Sequence, residues 1–530
     1  MKTSQRWSRE IVGARVANHN SLVYSHRPKS LFELLVDARR WVDRTVVVQG
    51  ELRLTNREFE TAVSRTAYFL AARGIVRGDR VMLLSYNRLE WLVSFWALQC
   101  LGAVAVLGSS MWSEAEICNC MKLIEPAMVI TDRESSVAIQ SAERVVGMEQ
   151  IRQLVSAEAP LLPPVPLSDM EDEPALIMFT SGTTGAPKGV VISHRSIIAN
   201  IQNLLVLTGR LPDQLSLSAA GTVSLLSMPL FHLGGIQISI LTLLTGGTLV
   251  LLEGRFDPVS ILKLIEKEKV RVWGGVPTMV SRVVEHECFA EFDTSSVRSI
   301  PMGGAAISLE LRAKVQKAFP AIKKRVGSLY GMTEAGGVLA AGSSEDVAGR
   351  PGCVGRLLPV VEVQVADADG DGVGEIKVRT PTITSGYFRD PTPIVDSDGW
   401  LSTGDRGRLD PDGYLYILGR SKDIIIRGGE NIACAHVEHC LLQHEGVLEV
   451  AVLPLPHPDL GEEVGAVVVI RPGMVVTVDV LRAHANGLLG RHEVPTRWWL
   501  RLEPLPTNAT GKISKREVLE QWQKTECSKA

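Results

Sequence analysis

Charge of one sign, paired cysteines and long apolar runs are all scarce in this chain of 530 residues. Lysine and arginine total 56 against 59 for aspartate and glutamate, a net charge of -3. There is no basic excess to follow a nucleic-acid backbone. The eight cysteines (Cys100, Cys118, Cys120, Cys288, Cys353, Cys434, Cys440 and Cys527) make no Cys-x-x-Cys pair and outline no disulfide framework. The opening residues, MKTSQRWSREIVGARV, hold no apolar segment of a secretory signal. The longest apolar stretch, 236–252, is broken by Gln237, Ser239, three threonines and Gly246-Gly247. It reads as a buried helix, turn and strand rather than a membrane span. These absences set the expectation of a reduced, soluble, cytoplasmic protein with no nucleic-acid partner and no transmembrane segment.

What is present is an ordinary globular mixture, 45% hydrophobic and 22% charged. At about 150 residues per domain the length allows three or four domains, and no repeat of 20–50 residues is visible. Short β-branched runs at 45–48, 81–85, 103–107, 128–131, 176–180, 224–228, 248–252 and 270–273 alternate with helical periods at 59–73, 89–100 and 261–269. That alternation predicts an α/β fold with mostly parallel sheets. After about Gly355 the texture changes. Strands at 361–366, 374–379 and 414–418, separated by Gly/Asp turns, predict a small antiparallel region. From Ile424 a compact α+β pattern follows: helix 437–443, strands 449–453 and 464–470, helix 478–489. The polar segment 419–423, GRSKD, is a plausible hinge, and the proline-rich stretch 159–174 reads as a surface or interdomain loop.

The strongest single motif is TSGTTGAPKG, residues 180–189, between the strands LIMFT and VVI. Cradling phosphate needs small residues so that backbone N–H groups can approach, hydroxyl donors, and a cation. Gly182, Gly185 and Gly189, the hydroxyls of Thr180, Ser181, Thr183 and Thr184, and Lys188 supply all three. Pro187 and Gly189 stand where a Walker loop needs Gly and Ser/Thr, so this is a different phosphate loop.

Further motifs follow in order: PLFHLGG at 229–235, GGAA at 303–306, YGMTE at 330–334, GWLSTGD at 399–405, YLYILGRSKDIIIRGGENI at 414–432 and PTNATGKI at 506–513. On these seven motifs the chain resembles the adenylate-forming, AMP-binding superfamily: acyl- and aryl-CoA synthetases, adenylation domains of peptide synthetases and beetle luciferases. The resemblance implies a large N-terminal domain of parallel α/β subdomains with a small β-rich subdomain, residues 1–419. A hinge at 420–423, centred on Lys422, and a small mobile α+β C-terminal domain, 424–530, complete the layout. It implies an acyl-CoA ligase in the fatty-acid–CoA ligase branch that joins ATP, a carboxylic acid (fatty, branched, cyclic or aryl) and CoA with Mg²⁺. Acyl-AMP and pyrophosphate form first, and the acyl group then passes to the CoA thiol.

By the same resemblance Glu334 holds Mg²⁺ and Thr183 partners the phosphate or metal. Tyr330, taken as following the apolar strand RVGSL, offers a face for adenine. Asp405 and Arg420 meet the ribose, and Lys512 reaches across the domain cleft to the carboxylate and α-phosphate. The nucleotide site also takes in Thr180, Ser181, Gly182, Thr184, Gly185, Lys188, Gly303, Gly304, Ala305, Gly331, Met332, Thr333 and Asn431. His232, Gly235, Pro277, Gly303 and Val338 are the pocket residues for the acyl group, and for His232 a direct catalytic role is the alternative. Gly428 and Gly429 line the path of pantetheine after the C-terminal domain rotates about the hinge.

Two stretches depart from the family pattern. Ala433 and Cys434 stand where an aromatic residue and proline are usual, and YFRDPTPIVDSDGW is a few residues short. Cys434, His436, His439, Cys440 and His444 have i,i+4 spacings that could hold zinc, but they lack a distant second half and read as a structural helix. No acidic residue lies between Phe231 and Ile240 to pair an α-amine, and no aromatic gate stands near Ile236. The acid is therefore expected to lack an α-amine and to be short, branched or cyclic. The alternatives are loading of a carrier-protein pantetheine, or a non-catalytic nucleotide-binding relative. A monomer or homodimer is expected.

Overall fold

The computed structural model describes residues 6–140, 142, 144–156, 160–161, 170–181, 187–305, 307–322, 326–347, 349–350, 352–420, 424–427, 430–508 and 511–527. Beyond an amino-terminal hairpin, Ile11–Val16 with His19–Tyr24, four sheets organise the described chain. The first has six strands in the order Pro187–Ser193, Pro174–Ser181, Val104–Gly108, Arg80–Leu84, Met128–Thr131, Val145–Gly147. Its neighbours are parallel except the first pair. Residues 81–84 and 104–108 are buried without alternation, which is the pattern of strands covered on both faces. Helix Leu89–Leu101 supplies one cover. It is apolar nearly all round, stacks Trp91 on Phe95 at 5.6 Å, and stops at Gly102 with φ 68°.

The second sheet runs Val272–Trp273, Val223–Leu226, Thr248–Leu251, Thr45–Gln49, Leu52–Thr55, parallel until the last hairpin. The stretch 236–252 is the tail of helix Leu233–Leu244, a Gly246-Gly247 turn and strand Thr248–Leu251, as its composition predicts. The third sheet has eight strands and is antiparallel except where Met302–Gly303 joins Ser328–Met332. Tyr330 therefore lies inside a strand, not after one, a correction to the sequence reading. Gly327 and Gly331, on either side of Tyr330, made the strand end look earlier than it is.

The fourth sheet belongs to the C-terminal region: Glu430–Ala433, Ile424–Arg427, Gly461–Ile470, Val447–His457, with Arg497–Arg501 parallel to Gly461–Ile470. Helix Cys434–Leu442 packs Cys434, Val437, Cys440 and Leu441 into that sheet's core. The His484 ring nitrogen sits 3.0 Å from the Cys440 carbonyl. Among the described residues no group of three His, Cys, Asp or Glu is placed to hold a metal, and no helix is long and apolar enough to cross a membrane. Most of the proline-rich stretch and the hinge residue Lys422 lie outside the described residues.

One helix, His194–Thr208, was not legible in advance. It starts on a Ser193 cap and ends at Gly209 with φ 66°. Its polar residues are buried, and each satisfies a different segment. Asn203 Oδ1 accepts from the Tyr24 hydroxyl at 2.7 Å. Gln202 donates to the carbonyls of Ser8 and His26 at 2.8 and 3.0 Å. Asn200 donates to the carbonyl of Val338 at 2.8 Å, and Ser196 donates to that of Thr382. Removing one partner of such a pair strands a buried polar group at a cost of about 1–3 kcal/mol.

The first residue of that helix, His194, accepts the Leu31 N–H on Nδ1 at 3.1 Å. Burial, with a smaller push from Arg77, lowers its imidazole to about 4. The unfolded chain therefore binds a proton near pH 6.5 that the native state refuses until about pH 4. Stability linked to His194 is complete above pH 6.5 and drains away as pH falls toward 4. A His194→Asn protein, which keeps a side-chain acceptor, should show a shallower decline of thermal midpoint between pH 7 and pH 4.5 than the parent. Parallel declines would contradict the assignment.

Candidate active site

The phosphate motif sits on a β-hairpin. Pro174–Ser181 and Pro187–Ser193 pair antiparallel, placing Thr180 opposite Lys188 and Ser181 opposite Pro187. Gly182, Thr183, Thr184 and Gly185 lie outside the described residues. Lys188 Nζ is 3.7 Å from Asp390 and 4.8 Å from the centre of the Tyr387 ring.

Facing this hairpin's sheet is the eight-stranded one. Tyr330 donates its hydroxyl to Asp405 Oδ2 at 2.6 Å, bringing together two residues far apart in sequence. Asp405 is 5% exposed, its backbone N–H is held by Thr403 Oγ1 at 3.1 Å, and it lies opposite Arg420 in the ladder. Gly331 and Met332 continue the Tyr330 strand across a bulge, and Thr333 and Glu334 turn out of it. The side chains of Arg420 and Asn431, and all of Gly428 and Gly429, are outside the described residues.

Gly303, Gly304 and Ala305 leave the strand that runs beside Leu329. A Cβ on Gly303 would meet the Leu329 carbonyl at 2.8 Å. Gly304 has φ 81°, and a Cβ there would lie 2.7 Å from Lys512 Cε and 3.2 Å from its Nζ. The lysine amine of the C-terminal domain is thus seated on bare backbone of the N-terminal one. A tight turn presents it: Gly511 at φ 77° donates to the Asn508 carbonyl, and Asn508 Oδ1 takes the Lys512 N–H.

Around that seat the two domains touch through helix Pro277–Val284. Thr278 donates to the Gly511 carbonyl at 2.5 Å and Arg282 pairs with Glu449 at 3.2 Å. Glu285 joins Arg471 at 2.9 Å and Lys314 at 2.8 Å. Burial works to raise the Glu285 carboxyl, but hydrogen bonds from Lys314 and Arg471 outweigh it and hold it below the ordinary carboxylate value. Partly exposed pairs of this kind contribute up to about 1 kcal/mol each.

His232 precedes helix Leu233–Leu244, and its Nε2 is buried with no hydrogen-bond partner among the described residues. Burial, then the nearby Lys512 charge, lowers its imidazole to about 4, so it is neutral at pH 7. Gly235 packs on the Pro229 carbonyl at the start of the same helix, where a Cβ would come within 2.4 Å. Pro277 opens its helix, and Val338 is pinned by Asn200, which Gln237 in turn bonds at 2.7 Å.

Glu334, expected to hold the metal, is a hard oxygen donor of the type magnesium takes. Its carbonyl accepts from both the N–H and the hydroxyl of Thr384 at 3.1 Å, and its Oε1 accepts from the Tyr387 hydroxyl at 3.1 Å. Burial, reinforced by the Glu334 carboxylate, pushes that phenol up to about 12, which keeps it a donor. Thr384, Tyr387, Thr278 and Asn200 were not singled out from sequence. Tyr387 opens the stretch YFRDPTPIVDSDGW, which was read only as a shortened linker.

With this geometry in hand, comparison with known proteins is direct. The AMP-binding enzyme model matches residues 34–388, and the AMP-binding enzyme C-terminal domain model matches 436–512. A feruloyl-CoA synthase of an Amycolatopsis species is 34% identical, covering 91% of this chain and 96% of that one. A long-chain-fatty-acid–CoA ligase of Bacillus subtilis is 28% identical over 93% and 94%. The solved O-succinylbenzoate coenzyme A synthetase of Bacillus subtilis, in complex with ATP and magnesium ion, matches with a TM-score of 0.78 at 27% identity, over 92% and 99%. The chain belongs to the AMP-binding enzyme family, in its acyl-CoA ligase branch.

The seat on Gly304 yields a prediction. Gly304→Val demands a β-branched residue at a left-handed φ and puts its Cβ into Lys512. Displacing one preorganised cation weakens the step it serves by up to about 10²–10³-fold. Acid-dependent pyrophosphate release should fall by on the order of tenfold or more while the far-ultraviolet spectrum is unchanged. Parental release would contradict the seat.

Proposed function

We propose that the protein activates a carboxylic acid with ATP, releasing pyrophosphate, and transfers the acyl group from acyl-AMP to the thiol of CoA. The observation that carries this reading is the Lys512 amine seated on Gly304, across the domain cleft and beside a neutral His232.

The first step brings a carboxylate to a phosphate ester, so the protein's part is positioning and positive charge. The hairpin loop 182–186 and Lys188 hold the phosphates. Tyr330 lies against the base, and Asp405 takes the ribose hydroxyls as an acceptor, its approach fixed by Thr403. Glu334 would hold Mg²⁺, which supplies charge neutralisation between phosphate oxygens when bound. Lys512 lies where charge develops between the acid and the α-phosphate. The neutral His232 lines the acid's entry without adding a second charge beside Lys512.

The acceptor path follows Gly428 and Gly429, near the hinge at Lys422. The acid lacks an α-amine, because residues 231–240 carry no carboxylate. The relatives named for feruloyl and long-chain fatty acids fit a carboxylic acid of aryl, branched, cyclic or fatty type. Among the described residues no cysteine is in a disulfide, which suits a reducing cytoplasm. The working unit is a monomer or homodimer.

Lys512→Ala tests the assignment. Loss of one charge-stabilising donor costs roughly 3–4 kcal/mol, on the order of 10²–10³ in rate. The variant should fail to form acyl-AMP yet still convert supplied acyl-AMP and CoA to thioester in a single-turnover assay. Equal loss in both steps would remove the specific role given to Lys512.

A further inference from the structure

We propose that Tyr387 is a positioning residue that aims the Glu334 carboxylate at the metal and ties it to the phosphate hairpin. The inference rests on the adenylation reading above, in which Glu334 is the magnesium ligand.

The segment around Tyr387 is fastened on two sides. On one it continues the phosphate hairpin's sheet. Val191 N–H donates to the Gly386 carbonyl and Ser385 N–H to the Val191 carbonyl, both at 2.9 Å, while Phe388 N–H donates to the Gly189 carbonyl at 2.7 Å. Tyr387 itself bridges to Val190 in antiparallel register. On the other side Thr384 clamps the Glu334 carbonyl and the Tyr387 hydroxyl takes Oε1 at 3.1 Å. The face of the same ring lies under the Lys188 ammonium, whose other neighbour is Asp390. One side chain therefore touches the cation of the phosphate loop and the carboxylate of the metal side.

A glutamate in a turn has several staggered choices for its carboxylate. The backbone clamp from Thr384 fixes where the residue starts but not where the carboxylate points. The phenol settles that by occupying one oxygen. A neutral donor also leaves the carboxylate's charge intact, which a lysine or arginine in the same place would not. The ring packing could be met by phenylalanine; the hydroxyl is the part that packing does not explain.

The test uses the whole protein with Mn²⁺ as probe. Free Mn²⁺ is read by electron paramagnetic resonance in the presence of a non-hydrolysable ATP analogue, for the parent, Tyr387→Phe and Glu334→Gln. A single hydrogen bond to a charged group predicts Mn²⁺ binding weakened by about ten- to a hundredfold in Tyr387→Phe. The Mg²⁺ concentration for half-maximal pyrophosphate release should rise by the same factor, with the rate at saturating Mg²⁺ within about twofold of the parent. Unchanged Mn²⁺ binding in Tyr387→Phe, where Glu334→Gln loses it, overturns the proposal and leaves the adenylation reading standing. A lowered saturating rate with unmoved metal dependence overturns it too, assigning Tyr387 to packing. Parental Mn²⁺ binding in Glu334→Gln removes the metal ligand itself, and this proposal with it.

Discussion

An ammonium group resting on bare backbone across a domain cleft is the contact on which the rest of this structure depends. Lys512 can reach its place only because Gly304 has no side chain and adopts a φ of 81°. It can stay there only because the C-terminal domain is docked by Thr278, Arg282 and Glu285 on the other bank. None of those three contacts is strong. Together they hold one orientation with a few kcal/mol at most. Asn508 fixes the backbone from which Lys512 departs, its Oδ1 taking the Lys512 N–H at 3.1 Å.

The electrostatics of the cleft follow from that placement. A second charge beside Lys512 would oppose it, and burial keeps His232 neutral well below physiological pH. Opposite lies a set of oxygen acceptors, Asp405 and Glu334, each bonded to a tyrosine hydroxyl, Tyr330 and Tyr387. The walls that carry these groups are joined by the helix His194–Thr208. Its buried Asn200 fastens the strand after the turn at Glu334, through Val338, and its Ser196 holds the segment after strand Gly374–Arg379, through Thr382. Stability and site geometry are thus coupled through buried amide and hydroxyl bonds, which tolerate substitution poorly.

Much of this was legible in the residues. The alternation of β-branched runs with helical periods located the two mostly parallel sheets, since strands buried on both faces read as continuous apolar runs. The phosphate motif announced its hairpin through its small residues and flanking strands. Lys512, Asp405 and Glu334 drew notice only through motif order, because a lone lysine or carboxylate carries no local signal. The helix at 194–208 was missed because its buried asparagines and glutamine interrupt the apolar period, each bonded to a carbonyl or hydroxyl distant in sequence. Tyr330 was misplaced by two or three residues, since glycine on both sides weakens a strand's pattern. Tyr387 was passed over because its partner lies 53 residues away, a separation no periodicity reports.

The central claim is that one cleft carries out two chemistries in sequence, and acid-dependent ATP–pyrophosphate exchange tests it most directly. A panel of aryl, branched, cyclic and fatty carboxylic acids is offered to the purified protein without CoA, and CoA is then added. The account predicts exchange that requires an acid but no thiol, followed on adding CoA by thioester formation with stoichiometric AMP. Exchange that is indifferent to every acid, or ADP and inorganic phosphate as products, would contradict it.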